Sequence, residues 1–182
     1  MKKLSMFWKA AFFLTAVAFL SSSVIRAQDS KDERLISDSK IAREKFINTD
    51  KLMQSMFSSS YAYVIFPNVG KGAIGVGGAA GNGIVFQNGN AIGSAKMKQV
   101  SIGFQFGGQA YREVIFFENK AAVDRFMDNN FEFAAQASAV AVTAGASMNA
   151  KYRDGVLVFT QEKGGLMYEA SIGGQKFHYA SF

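Results

Sequence analysis

The 182-residue sequence contains no cysteine, a single histidine (His178) and a single proline (Pro67). The lack of cysteine excludes a disulfide scaffold, a thiolate zinc site, a cysteine nucleophile and a lipid-modified N-terminal cysteine. One histidine cannot build a site from several imidazole ligands, so we expect no metal. Charged residues make up 19% of the chain and hydrophobic residues 49%, which is the composition of a folded domain.

Acidic residues are absent from residues 1–27, which form a basic start, an apolar run over Ala10–Leu20 and a polar stretch ending at Ala27. This order is typical of a secretory signal peptide cleaved after Ala27. The apolar run is too short for an anchor, since spanning a bilayer takes about 20 residues. We therefore expect an exported protein that is periplasmic or associated with the cell envelope. Without the four cations of this leader, 16 basic residues face 14 acidic ones, which gives no reason to expect nucleic acid.

Glycine is absent before residue 70, and all 18 glycines lie between Gly70 and Gly174. We therefore expect a single domain over residues 28–182, mainly helical over 28–60 and mainly β over 61–182. Within the helical part, Arg34–Ile47 has the spacing of an amphipathic helix. Its predicted apolar face consists of Leu35, Ile36, Ile41, Ala42 and Phe46.

A second short helix is predicted directly after the first. Thr49 or Asp50 is the expected cap, because short polar side chains accept hydrogen bonds from the first turn. The apolar residues of this helix are Leu52, Met53, Met56 and Phe57, and the serines at 58–60 end it.

The β part begins with Tyr61–Phe66, which is rich in aromatic and β-branched residues and which Pro67 is expected to end. Val114–Phe117 is apolar at every position, so we expect both faces of that strand to be covered. Hairpin turns are predicted at Asn82-Gly83, Asn88-Gly89, Asp154-Gly155, Gly164-Gly165 and Gly173-Gly174.

One helix is expected inside the β part, near residues 119–128. Asn119 is its predicted cap, its buried stripe is expected to consist of Val123, Phe126 and Met127, and Lys120 and Asp124 form an i,i+4 ion pair. The following segment, 131–142, fits either helix or strand, and its period-two alternation favours a strand. Glycines within strands mark bulges and bends. The predicted fold is therefore α+β: a strongly bent antiparallel sheet or a small β-barrel, with the N-terminal helices and one inserted helix packed on it.

Two catalytic or cofactor motifs fail on their context. Gly70–Gly75 matches the dinucleotide pattern G-x-G-x-x-G, but further glycines follow where a helix would have to begin, and the next acid is Glu113. His178 would need a partner nucleophile to serve a hydrolase, and no serine lies in a nucleophile motif. We therefore expect no cofactor, no catalytic residue and no enzyme.

Four cations are the candidate lipid-binding residues, chosen by charge and position: Lys71, Lys96, Lys98 and Arg112. Lys96 and Lys98 lie on one side of a strand, where they could meet a phosphate head group together. The alternative is that they protect an edge strand from aggregation. The cations of the first helix likewise fit either an anionic bilayer or the outer face of a helix packed on its own domain.

Four blocks resemble the lipid-binding SYLF domain, a family of eukaryotic actin-patch proteins and many exported bacterial proteins. They are Tyr61–Gly72 (YAYVIFPNVGKG), Ser101–Ala110 (SIGFQFGGQA), Phe131–Val140 (FEFAAQASAV) and Lys163–Gly174 (KGGLMYEASIGG). The likeness runs in order from about Ser37 to the end of the chain.

The resemblance implies binding to membrane lipid, which in eukaryotic members means phosphoinositides, in some cases with actin bundling. For an exported chain without the partner modules of those proteins, we expect anionic phospholipid as the partner, and not actin. The alternative function is a structural or self-associating envelope protein that pairs through exposed strand edges, without lipid specificity.

Overall fold

The computed structural model describes residues 29–74, 76–101, 109–129, 131–134, 137–163 and 170–182. Residues 35–182 form one compact unit, whereas residues up to 34 belong to a separate one. The described helices are α1 (residues 29–49), α2 (Met53–Ser59) and α3 (Lys120–Met127), with a 3₁₀ helix at Ala146–Asn149. The described strands are β1 (Ala62–Ile74), β2 (Val76–Gln87), β3 (Asn90–Ser101), β4 (Gln109–Phe117), β5 (Ser138–Ala141), β6 (Val156–Glu162), β7 (Ala170–Ser171) and β8 (Gln175–Ser181). None of the helices in these ranges has the length and apolar character needed to cross a membrane.

The strands form one curved, open sheet in the order β7-β5-β6-β4-β1-β2-β3-β8. The α+β class is therefore confirmed, and the bent sheet rather than the closed barrel is the form observed. All strand pairs are antiparallel except β5 and β6, which run parallel. That exception has a simple cause: the connection between β5 and β6 includes the 3₁₀ helix and is long enough for the chain to cross over.

Each face of the sheet has its own hydrophobic core. On one face, α3 packs with Val123 and Phe126 against residues such as Val64 of β1. On the other, α1 and α2 pack with Phe46 and Phe57 against residues such as Ile65. Val114–Phe117 is completely buried, as predicted for a strand covered on both faces.

Two sequence predictions fail at one β-bulge. Pro67 does not end β1; the strand continues to Ile74, with a register shift between Ile65 and Asn68 that accommodates the proline. Asn82-Gly83 is not a turn but lies inside β2, opposite this bulge. A Cβ on Gly83 would lie 2.6 Å from the carbonyl oxygen of Ile65, so this glycine serves close packing of two strands.

The other local predictions are mostly confirmed. Asn88-Gly89 and Asp154-Gly155 form turns with positive φ at both residues. The Oδ1 of Asn119 accepts a hydrogen bond from the backbone N–H of Ala122 at 3.0 Å and so caps α3. Gly173-Gly174 lies in the turn before β8, while Gly164-Gly165 falls outside the described residues.

The helical part needs two corrections. Ile41 is 55% exposed and does not belong to the buried face of α1, which is formed around Ala42 and Phe46. The N-cap residue of α2 is Leu52, which has no side-chain cap, so neither Thr49 nor Asp50 is the N-cap. Asp50 lies two residues earlier, and its Oδ1 accepts a hydrogen bond from the N–H of Leu52 itself. Burial of Ala42 and Phe46 shows that α1 packs on its own domain from residue 35 onward. In the described part of segment 131–142, the strand is β5, which is limited to Ser138–Ala141.

Candidate functional site: a basic patch on the sheet

Two adjacent pairs of basic residues lie on one open face of the sheet, where β3 meets β8. In the register of these antiparallel strands, Lys96 is opposite His178 and Lys98 is opposite Lys176. All four side chains are exposed. We call these four residues the basic patch.

Strand alternation explains why these side chains point outward. Between them, Met97 and Phe177 point into the core that α3 covers. The patch therefore lies on the opposite face, which carries α1 and α2 elsewhere. Lys96 and Lys98 are two positions apart along the strand, which is about 7 Å, and neighbouring strands lie about 4.8 Å apart. Four basic groups therefore share a small area.

The patch contains a like-charge pair that costs stability. Lys98 and Lys176 are directly opposite each other, and like charges at such positions are destabilising. The Nζ of Lys176 lies 3.3 Å from Glu132 Oε2, an exposed ion pair that offsets part of this repulsion. In the described part of the chain, Lys98 has no acidic partner.

A second pair of cations lies on the same row of the sheet. The Nζ of Lys163 donates to Asn68 Oδ1 at 2.6 Å, and Arg112 Nη1 donates to Gln161 Oε1 at 3.3 Å. Asn68 is opposite Asn82 on β2, and Asn82 is opposite Lys96 on β3. Directly opposed residues share a face, so a polar row leads from this pair to the basic patch.

The electrostatics of this second pair show two cations held close together. Burial lowers the pKa of Arg112. Burial, and then the positive charge of Arg112, lowers the pKa of Lys163, and the carboxylate of Asp38 only partly opposes this. An anion bound between Arg112 and Lys163 would relieve their repulsion.

The predicted site residues are thus only partly brought together. Lys96 and Lys98 lie side by side, and Arg112 lies on the same row at a distance of several strands. The backbone of Lys71 pairs with Ala79 and Gln109, and its side chain is not among those described. The edge-strand explanation for Lys96 and Lys98 is wrong, because β3 is paired on both sides.

Three basic residues of this face were not selected from the sequence. Lys176 and His178 alternate outward on β8, which the sequence shows, but nothing in it pairs β8 with β3. Lys163 follows the end of β6, and its contact with Asn68 spans 95 residues. The alternation of polar and apolar residues over 175–180 is the local signal that places Lys176 and His178 on one face of a strand.

A different set of polar residues lies buried on the α3 side of the sheet. Gln175 Nε2 donates to Glu113 Oε2 at 3.0 Å, and both residues are completely buried. Burial, and then the charge of Glu113, raises the pKa of Tyr111, so its hydroxyl stays protonated. This cluster links β4 to β8 inside the core. Nowhere in the described ranges do three His, Asp or Glu side chains approach closely enough to hold a metal ion.

Comparison with known proteins finds a family model that matches part of this chain. Residues 98–179 match the model of the Ysc84 family, described as Las17-binding protein actin regulator. The resemblance to the SYLF (Ysc84) family is therefore confirmed over residues 98–179, which are less than half of the chain. The match includes the three later blocks of the resemblance, the end of β3 and most of β8.

A curated relative supports this resemblance. Beta cell expansion factor A of Aeromonas veronii is 33% identical over 82 residues, which are 45% of this chain. The match spans 31% of that relative, so the two proteins share one domain-sized region and not their whole length. SYLF is a family of binding domains associated with lipid and with actin-patch proteins, and not a known enzyme family.

Proposed function

We propose that this protein is an exported, non-catalytic lipid-binding domain that contacts the anionic head groups of phospholipids at the cell envelope through its basic patch. The observation that carries the proposal is the Lys98–Lys176 pair beside Lys96 and His178. An arrangement that costs stability in the free protein gains favourable energy when phosphate groups approach it.

The expected strength is that of a peripheral interaction. Each lysine near an anionic membrane surface contributes about 1 kcal/mol, which falls off within a Debye length. Three lysines with a neighbouring cation pair would thus give salt-sensitive binding to the membrane surface.

Export and partner choice belong to the same proposal. The leader expected at residues 1–27 would deliver the domain to the periplasm or envelope, where phospholipid is available and actin is not. The N-terminus of the purified protein tests this part, because cleavage after Ala27 predicts that the chain begins at Gln28.

The alternative, self-association through strand edges, is less well supported by the hydrogen bonding of β8. The outer edge of this strand is already occupied: the backbone N–H of Phe177 donates to Phe131 O, and that of Tyr179 donates to Asn129 Oδ1. Gln175 O in turn accepts from the N–H of Phe133. Few edge groups of β8 therefore remain for an added strand.

Vesicle flotation tests the proposal. The wild-type protein should float with vesicles of phosphatidylglycerol or cardiolipin and remain behind with phosphatidylcholine. In Lys96→Gln/Lys98→Gln, loss of two charges should weaken binding by about 30-fold, which corresponds to about 2 kcal/mol. The matched control is Lys40→Gln/Lys45→Gln, which removes two exposed lysines of α1.

The outcomes separate the candidate functions. Equal binding of both double variants would place the contact elsewhere on the molecule, and equal binding to neutral and anionic vesicles would exclude head-group recognition. A stable oligomer in light scattering, unchanged by lipid, would favour the structural alternative. Co-sedimentation with filamentous actin, unaffected by vesicles, would replace phospholipid by actin as the partner.

A further inference from the structure

A cavity of about 1120 Å³ lies between residues 131–134 and 137–140, β6 and the loop over residues 149–154. The cavity lies where residues 131–134 pair with β8 and not with β6. Phe133 exchanges hydrogen bonds with Gly174 and Gln175, while β5 pairs with β6 only from Val140 onward. The chain thus opens away from the first half of β6 and leaves space beside it.

The inner wall of the cavity is apolar. Phe131, Phe133, Val140, Val158 and Ile172 contribute to it, together with several alanines. The rings of Phe131 and Phe133 meet edge to face, with their centroids 5.1 Å apart. Binding sites for small organic ligands typically have about 300–1,000 Å³ and mostly apolar walls, so this cavity is large enough for a long flexible chain.

The rim of the cavity is charged, with three cations and three acids. It carries Arg125, Lys151 and Arg153, and the acids Asp128, Glu132 and Asp154. Glu132 already pairs with Lys176, which does not line the cavity. Arg125 donates to the carbonyl oxygen of Asp154, which leaves the exposed Lys151 and Arg153 available to an anionic group.

From this combination we propose that the cavity binds one long acyl chain, with its anionic head at Lys151 and Arg153. The inference rests on the proposed function and specifies it further: the basic patch contacts the membrane surface, while the cavity accepts a single chain. The chain could belong to a free fatty acid or to a phospholipid. The apolar wall would bury the methylene groups of the acyl chain, and the cations of the rim would bind its anionic head.

Displacement of a fluorescent fatty acid tests the inference. 11-(Dansylamino)undecanoic acid should bind saturably to the purified protein, and oleate should displace it. Because each buried methylene contributes favourably, affinity should increase with competitor length from decanoate to oleate, by up to about four-fold per methylene. Surface electrostatics alone would give no such dependence.

Variants assign the binding to the cavity. Ala137→Trp places a large side chain at the wall and should weaken binding at least ten-fold, whereas Ala110→Trp, an exposed alanine on β4, should not. Lys151→Glu/Arg153→Glu changes exposed side chains only and should also weaken binding. Absence of saturable binding, or wild-type affinity in Ala137→Trp, would overturn the proposal.

The same assay separates this proposal from the preceding one. Lys96→Gln/Lys98→Gln should lose vesicle binding and keep oleate binding. Vesicle binding without oleate binding would leave the basic patch in place and refute the cavity. Displacement by oleate but not by phosphatidylglycerol vesicles identifies free fatty acid as the source of the chain, and displacement by both admits phospholipid.

Discussion

Asp50 and Ser147, 97 residues apart, are joined by two hydrogen bonds inside the protein. The Oδ2 of Asp50 accepts from the backbone N–H of Ser147 at 2.9 Å and from its hydroxyl at 2.7 Å. The Oδ1 of Asp50 accepts from the N–H of Leu52 at 3.1 Å. One buried carboxylate therefore connects the beginning of α2 to the 3₁₀ helix that precedes β6.

Replacing Asp50 should destabilise the domain strongly. Asp50→Asn removes the charge and turns an N–H₂ group toward two donors of Ser147, leaving buried donors without acceptors. We expect the free energy of unfolding to fall by about 1–3 kcal/mol in urea titrations. Asp29→Asn, an exposed carboxylate at the start of α1, is the control and should change it little. Equal midpoints for the two variants would show that the Asp50–Ser147 contact contributes nothing.

The same carboxylate should make the domain sensitive to acid. Burial alone would raise the pKa of Asp50, but the hydrogen bonds from Ser147 and Leu52 outweigh it and hold the pKa below its usual value of 3.8. A lowered pKa in the folded state gives stability that is fully present above pH 3.8 and is lost as pH falls through the folded-state pKa.

Urea titrations across pH 2–6 measure this effect. The stability difference between wild type and Asp50→Asn should be constant above about pH 5 and shrink below pH 3.8. A difference that stays constant down to pH 2 would contradict the assignment.

The basic patch should show opposite effects on stability and on binding. Lys98→Glu places a carboxylate opposite Lys176, replacing a repulsive cross-strand pair by an attractive one. We expect the free energy of unfolding to rise by about 0.2–1 kcal/mol, while binding to phosphatidylglycerol vesicles falls. Lys40→Glu makes the same charge change on α1 and should leave vesicle binding near the wild-type level. If Lys98→Glu lowered stability, the two lysines would not repel each other as the register implies.

Two glycines offer a matched test of the bulge at Pro67. A Cβ on Gly83 would come within 2.7 Å of the Phe66 ring as well as 2.6 Å from Ile65 O, whereas a Cβ on Gly70 meets nothing within 4 Å. Gly83→Ala should therefore cost about 1–3 kcal/mol through overpacking, and Gly70→Ala should be nearly neutral. Thermal denaturation of both variants checks this, and similar melting temperatures would mean that the strands can separate at no cost.

Local signals predicted the local structure well. Asn119 begins α3 because its side chain binds a free N–H of the first turn, and this depends only on the next three residues. The turn at Asn88-Gly89 follows from the positive φ that these two residue types tolerate. Such effects act within a few residues, so the sequence pattern contains them.

The two failures in the sheet have one cause, which is contact between strands. The dipeptide Asn82-Gly83 predicts a turn as strongly as Asn88-Gly89 does. At residue 83, however, glycine is needed because the neighbouring bulge of β1 leaves no room for a Cβ. The missing N–H of Pro67 predicts the end of a strand, because a sheet needs that group as a hydrogen-bond donor. In the bulge of β1, no neighbouring strand requires this donor, so the strand continues. Neither outcome is visible from residues 82–83 or 67 alone.

The sequence by itself determined the α+β class, the family resemblance, the capped helix α3 and the two-sided burial of Val114–Phe117, because each depends on composition or short-range patterns. Only the tertiary structure decided that β3 lies beside β8, which brings Lys176 and His178 to Lys96 and Lys98, and that a cavity opens next to β6. The physical reason is that strand register is fixed by burying both faces of a sheet at once, and the partners in that packing are 80 residues apart along the chain.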